Sequence, residues 1–84
     1  MDANRDGWRD DGAALVRDLR FPDFAAAIAF VDRVAAAAEA AGHHPDILVH
    51  GWNNVRLTLS THSAGAVTEA DHALARVIDG LPGD

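Results

Sequence analysis

Two histidines stand side by side at His43 and His44, and a third follows at His62. Glu39 lies four residues before His43, one turn back on the same face if the helix runs that far. A carboxylate that accepts from an imidazole fixes its tautomer and favours its charged form. Several imidazoles beside a carboxylate suit proton transfer near neutral pH. A plainer reading is also available, because histidine is favoured at a helix C-terminus by the dipole alone. Glu39, His43 and His62 would also suit a zinc ion. Against that, neighbouring histidines point in different directions, and the HExxH spacing is absent. Asp71, in Thr68-x-x-Asp71, is accounted for as the acidic third residue of a capping box. Trp52 reads as an aromatic of the sheet or core. His50 and His72 have nothing beside them that suggests chemistry and read as surface or packing residues.

The elements that must carry these side chains follow from patterning. Residues Met1–Gly7 read as a polar lead. Asp10-Asp11-Gly12 signals a turn between Trp8–Arg9 and a strand over Ala14–Arg20. In that strand Leu15, Arg17, Leu19 and then Phe21 share one parity. Asp23 is a good N-cap, and Phe24, Ala27, Ile28, Val31, Val34, Ala35 and Ala38 recur at helical spacing. Gly42 and Pro45 end that helix. Ile47–Trp52 and Asn54–Thr61 read as two strands around a tight turn at Asn53-Asn54. Val55, Leu57, Leu59 and Thr61 then face one way, and Arg56, Thr58, Ser60 and His62 the other. A last helix follows Thr68, with Ala70, Leu74, Val77, Ile78 and Leu81 as its stripe, closed by Gly80 and Pro82. The order β-β-α-β-β-α predicts one α+β domain over residues 1–84, an antiparallel four-stranded sheet with both helices on one face.

Composition narrows the classes of function. Net charge is −6, there is no lysine, and the seven arginines are scattered. Such a chain is poorly suited to phosphate backbones, which argues against direct nucleic-acid binding. Without cysteine there are no disulfides and no thiolate ligands, as expected of a cytoplasmic protein. No apolar stretch approaches the roughly 18 residues of a membrane helix, and the start is unlike a signal peptide. Eighteen alanines make the large apolar side chains few, so an oligomer is a natural way to bury more surface.

Glu39-x3-His43-His44-Pro45-x6-Trp52-x9-His62-x8-Asp71 resembles, position by position, the signature of the pterin-4a-carbinolamine dehydratase family. Arg56–His62, Thr68–Ala75 and the helix pattern from Phe21 to Glu39 resemble that family too, and the likeness runs from about Gly7 to Leu81. The resemblance implies dehydration of a 4a-hydroxytetrahydropterin to the quinonoid dihydropterin, with neither metal nor cofactor. It makes His43, His44 and His62 the catalytic trio, supported by Glu39 and Asp71. It brings Gly42, Pro45, Ser60, Thr61 and Ser63 to the pterin, with Trp8 flanking the site. Three departures stand out: only six residues precede Gly7-Trp8, where many relatives have a further helix; the Trp8–Phe21 hairpin is slightly shorter than usual; and Ser63 occupies a position where an acidic residue is common. The same fold also serves relatives that act as transcriptional coactivators or assembly chaperones.

Overall fold

The computed structural model describes residues 7–82, so the lead at residues 1–6 lies outside it. Six elements occur in the expected order: β1 (Arg9–Asp10), β2 (Leu15–Arg20), α1 (Phe24–Ala41), β3 (Asp46–His50), β4 (Asn54–Leu59) and α2 (Glu69–Asp79). The four strands form one antiparallel sheet in the order β1-β2-β4-β3. β4 is therefore central, and its Val55, Leu57 and Leu59 are wholly buried. β2 buries Leu15, Arg17 and Leu19 on the same face, the parity read from the sequence. On the other face Asp18 accepts hydrogen bonds from Arg56, its cross-strand partner, and from Arg9, beside the exposed Leu48.

Both helices cover the apolar face. Asp23 caps α1 by accepting from the Ala26 amide at 2.7 Å. The buried stripe of α1 is Ala27, Phe30, Val34 and Ala38. It is displaced towards Phe30 from the expected stripe, which leaves Phe24 and Ala35 exposed. Phe30 packs on Phe21 with ring centroids 5.1 Å apart, an arrangement worth about 0.5–1.5 kcal/mol beyond burial. α2 buries Asp71, Leu74, Ala75 and Ile78, so its inward face begins with a carboxylate. Ala70 and Val77, expected inside, face out.

The β3–β4 connection differs from the expected Asn53-Asn54 turn. The strands pair to His50↔Asn54, so the loop is Gly51–Asn53. Gly51 and Trp52 both take left-handed backbone, with φ 55° and 59°. Trp52 is thus held at the hairpin tip with 61% of its surface exposed, not in the core. Its place is set by the backbone, since two successive left-handed residues turn the chain before the indole can reach the sheet.

Candidate functional site

The end of α1 places the paired histidines. Gly42 takes a left-handed conformation, its N–H bonds to the Glu39 carbonyl, and the His43 N–H bonds to the Ala38 carbonyl. This closure ends the helix at Ala41 and turns the chain aside. Glycine adopts that backbone at little cost, and any other side chain there is strained.

The two imidazoles consequently part company. His43 turns inward, and its Nε2 hydrogen-bonds Oδ1 of Asp71 on α2. His44 turns outward, and its Nε2 lies 2.6 Å from Oε2 of Glu39. The four-residue spacing in the sequence pairs Glu39 with His43. The glycine break shifts the partner to His44, because His43 no longer follows the helical path.

Asp71 is the centre of the arrangement and is entirely buried. Oδ1 accepts from His43. Oδ2 accepts from the Thr61 hydroxyl at 2.8 Å and from the Thr68 amide at 2.8 Å. The amide bond is half of the capping box expected from Thr68-x-x-Asp71. The same carboxylate therefore caps α2 and orients an imidazole. Burial works against its ionisation and is the largest single influence. Against it act the hydrogen bond from His43, the Thr68 amide, the Thr61 hydroxyl and the charge of His43, which together hold the carboxyl below the usual aspartate value.

Three chain segments meet here. The α1 end brings His43, the α2 start brings Asp71, and the stretch beyond β4 brings Thr61. Thr61 continues the inward row of Val55, Leu57 and Leu59. It forms an isolated bridge with Ala66, and its carbonyl accepts from the amides of Ala64 and Gly65. That tight turn exposes the next residues, His62 and Ser63, at the surface beside the network. Ser60 is half-buried, as is Pro45, which leads from the histidines into β3. Among the described residues no hydrogen bond joins His62 to His43 or His44. Nor do any three His, Asp or Glu side chains there converge on a common point that would hold a metal ion.

Trp8 lies elsewhere. Its indole N–H donates to Asp79 at 2.9 Å, at the last residue of α2. Asp79 is about 12 Å along the helix from Asp71, at 1.5 Å per residue. The same Asp79 oxygen pairs with Arg17, which is 94% buried. The Arg17 Nε finds no partner among the described residues. His50 and His72 are exposed.

The sequence model of the family described as Pterin 4 alpha carbinolamine dehydratase matches residues 1–81. A Chloroflexus aurantiacus protein whose name assigns it to the pterin-4-alpha-carbinolamine dehydratases is 53% identical over 81 residues, covering 96% of this chain and 86% of that one. A Thermomicrobium roseum protein of the same name is 56% identical over 70 residues, 83% of this chain and 74% of that one. Among solved structures, a transcriptional coactivator/pterin dehydratase from Brucella melitensis superposes with a TM-score of 0.79 at 38% identity, over 88% of this chain and 80% of its own. A pterin dehydratase-like protein identified as a RuBisCO assembly factor in the alpha-carboxysome gives the same TM-score at 31% identity, over 100% of this chain and 99% of its own.

Proposed function

The chain belongs to the pterin-4a-carbinolamine dehydratase family, and on that premise we propose that it dehydrates a 4a-hydroxytetrahydropterin by histidine acid–base catalysis. The reaction removes hydroxide from C4a and a proton from a ring nitrogen, releasing water and the quinonoid dihydropterin. The hydrogen bond from His43 to buried Asp71 carries this reading. With Nε2–H committed to an ionised carboxylate, neutral His43 holds its lone pair on Nδ1. It is therefore the base, and Asp71 stabilises the imidazolium it becomes. His44 and His62, both exposed, supply the proton to the departing hydroxyl. Glu39 holds His44 at its Nε2. Gly42, Pro45, Ser60 and Ser63 border the place where the ring lies. Each acid–base group contributes about 10²–10⁴-fold. No metal or cofactor is needed for these steps, and the same reading makes the protein a cytoplasmic homodimer or homotetramer.

Stopped-flow dehydration of freshly generated 4a-carbinolamine tests the proposal. His43→Ala and His62→Ala each lower kcat/KM by about tenfold or more, and His50→Ala and His72→Ala leave it nearly unchanged. Equal losses in all four variants would refute the assignment.

A second reading rests on the end-to-end match to the RuBisCO assembly factor. In it the fold serves as a binding module for another protein. Wild-type protein that leaves the spontaneous dehydration rate unchanged would favour that reading. Turnover lowered about tenfold or more by His43→Ala favours the enzyme.

A further inference from the structure

Thr61 has little left to offer a substrate. Its amide donates to the Ala66 carbonyl at 3.0 Å, and its carbonyl accepts from two amides, at 3.0 and 2.8 Å. Its hydroxyl lies 2.8 Å from Asp71 Oδ2 and 2.7 Å from the Thr68 hydroxyl. An ionised carboxylate only accepts, so the Thr61 proton goes to Asp71 and the Thr68 hydroxyl donates to Thr61. The hydroxyls form a directed chain, Thr68 to Thr61 to Asp71, ending at the carboxylate that holds His43.

From this geometry we infer that Thr61 is a positioning residue, which acts on the reaction through Asp71. The inference rests on the dehydratase reading. Oδ2 has two donors, the Thr68 amide and the Thr61 hydroxyl, while Oδ1 faces His43. The amide is fixed by the start of α2. The Thr61 hydroxyl, rooted in the strand layer, ties the carboxylate to the sheet and sets its plane beneath the imidazole. It also favours the ionised carboxylate, since a donor to the charged form lowers its affinity for protons. Without that donor the affinity of Asp71 for protons rises, and the carboxylate is ionised, and so fit to support His43, only at higher pH.

Few other charges bear on this pair. From α1, Glu39 is taken up by His44. From α2, Glu69 is paired with Arg76 at 2.8 Å, and His72 is exposed. From the strand end, His62 is exposed and makes no hydrogen bond to the pair among the described residues. The pH response therefore centres on Asp71.

The experiment compares Thr61→Val, which keeps the shape, with Thr61→Ser, which keeps the hydroxyl. Thr61→Val lowers kcat by about tenfold, the worth of one hydrogen bond to a charged group, and leaves KM within about twofold. The acid limb of its kcat/KM profile moves to higher pH, and Thr61→Ser restores both rate and limb. Thr68→Val, which keeps the bond from Thr61 to Asp71, has the smaller effect. A raised KM with an unmoved limb would make Thr61 a pterin contact and overturn the inference. A readout independent of turnover is the 13C-carboxyl titration of Asp71 by NMR, which rises in Thr61→Val and returns in Thr61→Ser. If the wild-type protein does not turn over, the dehydratase reading fails while this titration still decides the hydroxyl's action on Asp71. An unchanged Asp71 titration in Thr61→Val would overturn it.

Discussion

Asp71 and Arg17 are both buried charged residues, both facing the core, and they stand near opposite ends of α2. Asp71 has three donors on two oxygens from three chain segments. Among the described residues, Arg17 is paired through Nη1 to a single carboxylate, that of Asp79, whose side chain is 48% exposed, and its Nε has no partner. A fully satisfied buried charge holds its neighbours in one geometry. A partly satisfied one adds little, because the loss of hydration offsets the attraction. Only the first is built to orient another side chain. The second end of α2 is a clasp, with the Trp8 indole sharing Asp79.

Replacing each charge tests this contrast most severely. Asp71→Asn removes the negative partner of His43, and kcat/KM falls by about 100-fold or more, within the range for a lost acid–base element. Its stability loss depends on pH. The Asp71 carboxyl lies below its usual value of 3.8 in the folded state, so the stabilisation is complete above the unfolded value. It disappears as pH falls through the lower folded value. Chemical denaturation at pH 7 and pH 3 therefore shows a large gap between wild type and Asp71→Asn at the higher pH and a narrowed one at the lower.

Arg17→Met sharpens the comparison from the other side. It replaces an incompletely satisfied charge with an apolar chain of similar length, and stability stays within about 1 kcal/mol of wild type or rises. Asp79→Ala, which strands the arginine, costs about 1–3 kcal/mol, the penalty for a buried donor left unsatisfied. A loss from Arg17→Met as large as that from Asp79→Ala would make the two ends of α2 alike. Gly42→Ala comes next. The alanine meets no neighbouring atom, so the cost is backbone strain of about 1–2 kcal/mol in thermal melts, with activity falling as His43 leaves its place. The smallest effect belongs to Glu39→Gln. That pair is exposed on both sides, and its loss changes stability by less than about 1 kcal/mol.

The element order, the parity of β2 and β4 and both helix caps were legible in the sequence, because period and capping are local. What was not legible is long-range or depends on a single backbone angle. The spacing from Glu39 to His43 suggests a pair only while the helix continues, and Gly42 stops it. The bond from His43 to Asp71 spans 28 residues, and only the family resemblance placed both at one site. Arg17 has the inward parity of Leu15 and Leu19, yet its partner lies 62 residues away and leaves no local mark. Trp52, an aromatic after a strand pattern, reads as sheet or core, and the left-handed turn sets it outside.

The two indoles also give the protein a ready optical handle. There are two tryptophans and no tyrosine, so its near-ultraviolet emission comes from Trp8 and Trp52 alone. Trp52 stands in water at the hairpin tip, and Trp8 lies half-buried with its N–H on Asp79. A water-borne collisional quencher darkens Trp52 first. The light that remains comes from Trp8 and follows the seating of the last turn of α2 against the sheet, with no label attached.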